Sequence, residues 1–365
     1  MMLSLIYFIA LKMELLHNCL FYIGIFVIIA SIIPFIRHDF WIFRVFEYPR
    51  LQKLTLNFAV LVLYISTYTL FELRDYIVFG LLLMNLIYLC WLIFPFTILA
   101  KKQIVQSTKA DGRRNIKLLI ANVFQDNKQQ QEYHKLISRC SPDLILMVET
   151  NQWWQDKMDS IGNNYPHQIK VPLENTYGML LYSKLELVEG NVKYLVEDDI
   201  PSIEVKVKLD SGELIKLFCL HPRPPVPQEN PRSTERDKEI LLVAKKAKES
   251  ELPVIVIGDL NDVAWSYTTE LFSKISELLD PRKGRGFFNS FNAKYFFLRF
   301  PLDHVFCSAD FSLTHIERMK SCGSDHFPMF INLQYDPKAV IKNDIPEADA
   351  EDIATFKEKV TASVD

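Results

Sequence analysis

The first 100 residues are far more apolar than the rest of the chain. Three runs, 20–36, 54–70 and 76–99, are long enough to cross a hydrocarbon core of about 30 Å. Helices of soluble proteins are rarely so apolar on every face. The pattern therefore predicts a membrane segment of three spans over residues 1–100. The shorter run 2–10 either lies at the membrane interface or extends the first helix.

Loop charges indicate an orientation for these spans. The basic residues on one side are Arg37, Arg44, Arg50 and Lys53 between the first two spans, and Lys101, Lys102, Arg113 and Arg114 after the third. The opposite side carries only Lys12 and Arg74, next to three acids. Since cytoplasmic loops are enriched in Lys and Arg, the part after residue 100 is predicted to be cytoplasmic. If the second run does not cross the membrane, the predicted side of the part after residue 100 is reversed.

From residue 115 the pattern changes to short apolar runs separated by turns. Strands are predicted at 117–122, 144–148, 179–182, 203–209, 214–220, 254–257, 304–307 and 329–333, and helices at 129–139, 233–248 and 269–279. Runs rich in Val, Ile and Leu are typical of buried strands. Many strands with few helices predict an α+β domain of packed sheets over residues 115–336. A basic linker, 101–114, precedes it, and the charged segment 337–365 is predicted to be a disordered tail.

Composition narrows the classes of protein. The length of 365 residues suits one membrane segment and one soluble domain. The net charge of −3 provides no global basic field for nucleic acid. Six cysteines without a CxxC spacing disfavour a zinc site and indicate buried reduced thiols.

Polar side chains occur where the predicted strands end or begin. They are Asn122, Glu149, His221, Asp259 with Asn261, Asp303 with His304, and Asp325 with His326. Each alone is explained at least as well by a solvated strand end or an Asx-type turn. Their joint occurrence at six strand ends favours a site instead. Carboxylates, an amide and histidines are the groups that metal-assisted cleavage of a phosphate ester requires.

Local spacing suggests how some of these groups act. Asp259 and Asn261 are two residues apart on an extended chain, so both side chains can reach one phosphate or one attacking water. A carboxylate such as Glu149 at the end of a buried strand is costly unless it is solvated, paired or metal-bound. Asp303 is suited to orienting a catalytic histidine. The prolines after His221 stiffen that segment.

Residues 116–333 resemble the endonuclease/exonuclease/phosphatase superfamily, which includes DNase I-like nucleases, inositol-phosphate phosphatases and sphingomyelinases. Seven segments in family order carry the resemblance: NVFQDN (122–127), PDLILMVET (142–150), YGMLLYSK (177–184), HPRPP (221–225), GDLNDVAWS (258–266), LDHVF (302–306) and GSDHFP (323–328). The resemblance implies a four-layered α/β sandwich with two central sheets. The chain looks most like the bacterial membrane-anchored branch, which implies a multi-pass protein of the bacterial inner membrane.

The resemblance also implies a metal site and a substrate contact. Glu149 resembles the Mg²⁺-binding carboxylate, with Asn122 beside it and Asp325 near the metal; Mn²⁺ is the alternative ion. Arg223 and Asn261 are expected to bind the substrate.

The remaining roles are catalytic. Asp259 and Asn261 resemble the pair that orients the attacking water and the phosphate. His326, with Asp303 as its partner, resembles the histidine next to the scissile phosphate. His221 resembles the second active-site histidine. Its acidic partner is not identified by the sequence, and Glu174 is only a weak candidate.

The predicted function is therefore a membrane-anchored, Mg²⁺-dependent phosphoesterase that uses in-line attack of water. The alternative is a membrane-anchored module that binds a phosphate ligand without catalysis. The substrate stays open between a lipid phosphodiester, favoured by the bilayer, and nucleic acid. Arg282, Lys283, Arg285 and Lys294 make one loop basic, but a broad basic face is lacking. The aromatic stretch 287–300 contacts lipid, lines the cleft or packs in the core, and no protein partner is predicted.

Overall fold

A computed structural model describes residues 2–66, 72–108 and 111–364 of the chain. The chain divides into two compact units, Met1–Pro95 and Phe96–Asp365. The boundary lies close to the predicted end of the apolar segment at residue 100.

The first unit is helical. Its helices are α1 (Met2–Ile32), α2 (Trp41–Arg44), α3 (Arg50–Ser66) and α4 (Leu73–Ile93). Residues 2–10 belong to α1, so this run extends the first helix. Two helical stretches, Leu5–Phe35 and Leu73–Phe96, are long and apolar enough to cross a membrane, where the sequence predicted three spans. The described part of α3 is 17 residues long, and positions 67–70 of the second predicted span lie outside the described residues.

Helices α1, α3 and α4 pack on each other around Val60, Leu61, Val78 and Leu82. Asn57 lies inside this bundle and donates a hydrogen bond of 2.9 Å to the main-chain oxygen of Leu82. The outward surface is apolar as well. Large side chains more than half exposed include Phe26, Trp91 and Ile87.

The second unit contains eleven strands among the described residues. They are β1 (Asn115–Asn122), β2 (Leu144–Val148), β3 (His167–Val171), β4 (Met179–Ser183), β5 (Glu186–Lys193), β6 (Ser202–Lys208), β7 (Leu214–Leu220), β8 (Val254–Asp259), β9 (Asp303–Cys307), β10 (Phe311–Arg318) and β11 (Met329–Tyr335). The helices are α5 (Gln130–Cys140), α6 (Gln152–Met158), α7 (Thr234–Lys248), α8 (Tyr267–Ser276) and α9 (Ala350–Thr361).

The eight predicted strands and three predicted helices are present within a few residues of their expected bounds. Strands β3, β5 and β10 were not predicted. All three are edge strands, and β3 and β5 lack fully buried residues. An edge strand buries less apolar surface, so its sequence carries a weaker hydrophobic pattern.

The strands form two mixed sheets, in the orders β10-β11-β1-β2-β4-β3 and β5-β6-β7-β8-β9. Apolar side chains from both sheets, such as Leu118 and Leu146 from one and Val205 and Leu217 from the other, form the central core. Helices α5 and α6 cover the outer face of the six-stranded sheet. Helices α7 and α8 cover the other sheet. The result is an α+β sandwich of four layers.

The segment predicted as a basic linker is partly packed. Gln103 and Ile104 are buried, and the Leu313 amide of β10 donates a hydrogen bond of 2.9 Å to the main-chain oxygen of Val105. Residues 103–107 therefore run along the edge of the domain, because an apolar side chain and backbone hydrogen bonds hold them there.

The segment predicted as a disordered tail contains helix α9, which corrects that expectation. Phe356 and Val360 pack against the core under α7 and α8. The Lys359 ammonium lies 2.7 Å from the Asp237 carboxylate. The sequence pattern did not predict this helix because it is held by two apolar side chains and by ion pairs, and it has no continuous apolar stripe.

Strand pairing brings the ends of the central strands together. Asn122 of β1 is in register with Val148 of the parallel strand β2, so Glu149 lies directly beyond that pair. In the other sheet Asp259 of β8 pairs with Asp303 of β9. The ends of both sheets form one edge of the sandwich.

Candidate active site

Asn122 connects the two sheets at this edge. Its amide nitrogen donates to the Glu149 carboxylate at 2.6 Å and to the Asp259 carboxylate at 3.0 Å. Glu149 has a left-handed backbone, with φ of 58°. Such a conformation costs about 1–3 kcal/mol in a residue other than glycine and is often found at functional sites.

His326 lies between two carboxylates. Its Nδ1 is 2.8 Å from Asp303 Oδ2, and its Nε2 is 3.5 Å from Asp259 Oδ2. All three side chains are buried. The ring of Phe291 packs on His326 with 4.9 Å between ring centroids. The contact with Asp303 holds the imidazole in one orientation.

Burial and neighbouring charges shift the pKa values of Glu149, Asp259 and His326. Burial raises the pKa of Glu149 to about 7 and also raises the pKa of Asp259. Burial opposes a charge on His326, but the carboxylates of Asp303 and Asp259 outweigh it and raise its pKa to about 10. The structure thus places one cationic imidazole among several acids.

His221 is buried and packs on Tyr177, with ring centroids 5.4 Å apart. Burial lowers its pKa to about 4, so the ring is neutral near pH 7. Its Nδ1 has no hydrogen-bond partner among the described residues. Glu174 does not supply one, because it is exposed and accepts a hydrogen bond of 3.1 Å from Asn151.

Arg223 projects toward acidic neighbours. Its guanidinium lies 3.2 Å from Glu197 and 3.3 Å from Asp199, and it stacks over Tyr177 at 5.6 Å. The substrate-binding role predicted for Arg223 would require a phosphate to compete with these two carboxylates.

Asn261 follows Asp259 in a tight loop, and its φ is 49°. The Asn261 amide donates 3.0 Å to the main-chain oxygen of Pro222, and its backbone nitrogen donates 2.9 Å to Asp259. Asp325 is half-buried, and its charge contributes to raising the pKa of Glu149. The sequence-predicted residues from six strand ends thus occupy the same edge.

His304 has a different role from its neighbour Asp303. Its Nδ1 is 2.7 Å from the Arg282 guanidinium, and its Nε2 is 2.8 Å from the main-chain oxygen of Asp262. Since Arg282 donates, the Nε2–H of a neutral ring donates to Asp262. Through this contact His304 holds the backbone of the loop at the end of β8, residues 258–262.

The two arginines of the basic loop predicted from the sequence bind groups inside the domain. Arg282 is 2% exposed and is bound by Asp280 at 2.8 Å. Arg285 donates to the main-chain oxygen of Ile104 at 2.5 Å. These guanidiniums satisfy internal acceptors, so the loop presents fewer cations to a ligand than its sequence indicated.

Arg236 was missed by sequence reasoning. Its buried guanidinium donates 2.7 Å to the main-chain oxygen of Asn261 and lies 3.3 Å from Asp262. An arginine in the first turn of a helix carries no local signal of such a contact, because the loop it binds is 25 residues away.

Two sets of side chains have ligand atoms suited to a metal ion. Asp259, Asp303 and His326 bring ligand atoms within 4.8 Å of one another. In that set a metal ion would have to displace the proton that the carboxylates of Asp303 and Asp259 stabilise on the imidazole. The carboxylates of Glu149 and Asp325 have the hard oxygen atoms that Mg²⁺ prefers. The Asn122 amide can offer only its Oδ1, which accepts a hydrogen bond of 3.0 Å from the Phe124 amide, because its nitrogen faces the carboxylates of Glu149 and Asp259.

Comparisons with known proteins identify the family of this chain. The sequence model of the Endonuclease/Exonuclease/phosphatase family matches residues 119–326. A sequence comparison with curated proteins finds no match.

Solved structures resemble the second unit. TDP2 of D. rerio, complexed with a single-strand DNA product, is 15% identical with a TM-score of 0.51, covering 61% of this chain and 100% of that one. An endonuclease/exonuclease/phosphatase family protein from Bacteroides thetaiotaomicron is 18% identical with a TM-score of 0.51, covering 61% and 96%. One from Beutenbergia cavernae is 14% identical with a TM-score of 0.51, covering 61% and 72%.

Identities this low show the fold alone, whereas the family match spans more than half of the chain. Together with the two-sheet sandwich and the carboxylate–histidine edge, it shows that the chain belongs to the endonuclease/exonuclease/phosphatase family, whose members are hydrolases of phosphate esters.

Proposed function

We propose that this chain is a membrane-anchored, Mg²⁺-dependent phosphoesterase that hydrolyses a phosphodiester by in-line attack of water. The observation that carries this proposal is the bridge from Asn122 to both Glu149 and Asp259, next to the Asp303–His326 pair. This arrangement joins a hard-oxygen ligand set to a proton-transfer group within one edge of the sandwich.

The donor chemistry fits a divalent cation. Glu149 is half-buried, and its pKa is raised to about 7 because partial burial penalises the charged carboxylate. A bound cation would offset this penalty. Glu149, Asn122 and Asp325 would hold Mg²⁺, or Mn²⁺ as the alternative. When bound, the ion would neutralise charge on the phosphoryl oxygens.

The chain's own residues supply the other steps. The Asp259 carboxylate orients the attacking water and accepts its proton, while the Asn261 side chain binds the phosphate. His326 donates from Nε2 to a phosphoryl oxygen, with Asp303 fixing the ring through Nδ1. His221 adds a further contact to the phosphate. Arg223 contributes to substrate binding at the rim.

The first unit supports membrane anchoring. Helices α1, α3 and α4 pack around a shared core while exposing large apolar side chains outward. Length and apolarity alone also occur in buried core helices and in signal sequences; the exposed apolar surface favours a bilayer here. We place three spans in a bacterial inner membrane, with the second unit on the cytoplasmic side that the loop charges favour.

Activity of the full-length chain in detergent tests the catalytic proposal. A chromogenic phosphodiester, sphingomyelin, phosphoinositides, RNA and plasmid DNA are each incubated with Mg²⁺, with Mn²⁺ and with a chelator. We expect metal-dependent cleavage of at least one substrate. Glu149→Gln, Asp259→Asn and His326→Ala should each reduce turnover about 100-fold or more.

Glu251→Gln, an exposed acid away from the site, is the matched control and should retain full activity. Thermal unfolding of each variant establishes that the fold is intact. Normal turnover in a folded His326→Ala chain contradicts the assignment. Absence of cleavage together with retained binding of a phosphate ligand would instead support the non-catalytic binding module.

Membrane anchoring has its own test. Membranes of expressing cells are washed with alkaline carbonate and then with detergent. We expect the chain to resist carbonate and to be released by detergent; release by carbonate contradicts the spans.

A further inference from the structure

The loop before β9 ends in an exposed apolar tip. We call this segment the aromatic tip; its residues are Tyr295, Phe296, Phe297 and Leu298, which are 55%, 76%, 55% and 43% exposed. Single exposed apolar residues are common on soluble proteins, but a run of four consecutive ones normally marks an interaction site. The sequence left open whether this stretch packs in the core, and at these four positions it does not.

The aromatic tip is attached to the candidate active site through its base. The Phe291 amide donates to the main-chain oxygen of Phe300 at 2.9 Å, which closes the loop. The Ala293 amide donates 2.6 Å to the main-chain oxygen of Asp325, and the Phe291 ring packs on His326. The base of the aromatic tip therefore adjoins the predicted catalytic groups.

Cations flank the tip on both sides. Lys294 precedes it and extends over the ring of Phe124 at 4.9 Å. Arg299 follows it and lies over the ring of Phe327 at 5.0 Å, where Arg318 stacks at 4.4 Å. Exposed aromatic side chains bordered by Lys and Arg are typical of segments that enter the headgroup region of a bilayer.

We propose that the aromatic tip inserts into a phospholipid surface and presents lipid phosphodiesters to the site. This rests on the proposed function and narrows its substrate to membrane lipids. The flanking cations complement the phosphate layer, and the tip side chains replace contact with water by contact with acyl chains.

Nucleic acid is the competing ligand, because aromatic and Arg side chains also stack on bases. Two observations favour lipid. The rings of Phe296 and Phe297 meet edge to face at 90°, so they do not form parallel platforms for successive bases. Leu298 extends the tip with an aliphatic side chain, which suits acyl chains and offers no stacking surface.

Depth in the bilayer can be measured on the full-length chain. Phe296→Trp is reconstituted into nanodiscs of phosphatidylcholine and phosphatidylglycerol, with and without bromine on the acyl chains. The tryptophan emission that the variant shows in excess of the parent chain is then compared between nanodiscs with and without bromolipid. We expect bromolipid to quench at least half of this added emission.

The matched control is Tyr194→Trp. Tyr194 is also exposed, at 48%, and follows β5, on the edge of the five-stranded sheet opposite β9. Its added emission should be insensitive to bromolipid. Equal quenching at positions 194 and 296, or none at either, overturns the proposal.

A second experiment uses turnover. In Phe296→Ser/Phe297→Ser, the loss of activity on nanodisc phospholipid should exceed the loss on a soluble chromogenic phosphodiester at least tenfold. Tyr194→Ser should match the parent on both substrates. Equal losses on both substrates contradict a lipid-specific role for the tip. Weakened binding of a single-stranded oligonucleotide, with unchanged lipid turnover, overturns the proposal in favour of nucleic acid.

Failure of the proposed function and failure of membrane insertion by the aromatic tip give different results. If the parent chain cleaves no phosphodiester, the proposed function fails, while the quenching measurement still decides whether the tip enters the bilayer.

Discussion

Arg236 donates a hydrogen bond of 2.7 Å from Nη1 to the main-chain oxygen of Asn261. Its Nη2 lies 2.9 Å from Asp237 and 3.3 Å from Asp262. The guanidinium is fully buried, so these contacts occur without competition from water. Through Arg236, helix α7 fixes the backbone of the loop that carries Asp259 and Asn261.

We therefore expect Arg236→Lys to impair catalysis more than folding. Lysine retains the buried charge but cannot donate to Asn261 and to both carboxylates with fork geometry. The kcat should fall at least tenfold with a smaller change in KM, because the reacting groups rather than the substrate contacts are misplaced. Steady-state kinetics measures this split. Arg139→Lys, on the exposed side of α5, should change neither constant, and an unchanged kcat in Arg236→Lys would exclude this positioning role.

Helix α9 should stabilise the domain through Lys359. The Asp237 carboxylate that this ammonium contacts is 1% exposed, so removing the cation leaves a buried charge less well compensated. Lys359→Met should lower the free energy of unfolding by about 1–3 kcal/mol. Lys357→Met, exposed on the same helix, should change it by less than about 0.5 kcal/mol. Denaturant titration of both variants measures the difference, and equal values would show that the ion pair contributes nothing.

Gly258 should tolerate no side chain. A Cβ at this position would lie 1.9 Å from the main-chain oxygen of Leu220, and φ is 148°. Gly258→Ala should therefore destabilise the domain by about 3 kcal/mol or more and displace Asp259. Gly212→Ala, with φ of 98° and open space around it, isolates the backbone strain and should cost about 1 kcal/mol. Thermal unfolding compares them; similar losses would show that the contact with Leu220 relaxes easily.

His304 should make stability depend on acid pH. Burial, and the neighbouring Arg282 cation, lower its pKa to about 3, against about 6.5 in an unfolded chain. The unfolded state therefore binds the proton more tightly between these values. The stabilisation is complete above about pH 6.5 and decreases by about 1.4 kcal/mol per pH unit as pH falls toward 3.

Unfolding curves of the parent chain and His304→Gln between pH 7 and pH 4 measure this dependence. The variant should lose less stability on acidification than the parent chain. His315→Gln, at an exposed position on β10, should follow the parent curve. Parallel curves for the parent and His304→Gln would show that His304 is not held neutral.

The sequence predicted much of this fold because its strong signals are local. Buried strands such as β2 and β8 are continuous apolar runs, and a polar residue marks the end of each. Family membership and the two-sheet sandwich are confirmed. The edge strand β5 was missed, since half-exposed strands lack that pattern, and helix α9 was missed because its contacts are with distant residues.

The site residues Glu149, Asp259 and His326 stood out in the sequence as polar groups next to apolar strands, and their catalytic roles stay predictions. Only the tertiary structure decided which group each one contacts. In the structure Asp303 contacts His326, whereas its neighbour His304 contacts Arg282 and Asp262. Arg236, which no sequence pattern identified, binds the backbone of Asn261. The physical reason is that hydrophobic periodicity is set by the local backbone. The partner of a buried charge is set by how sheets and helices pack, and chain position alone does not encode it.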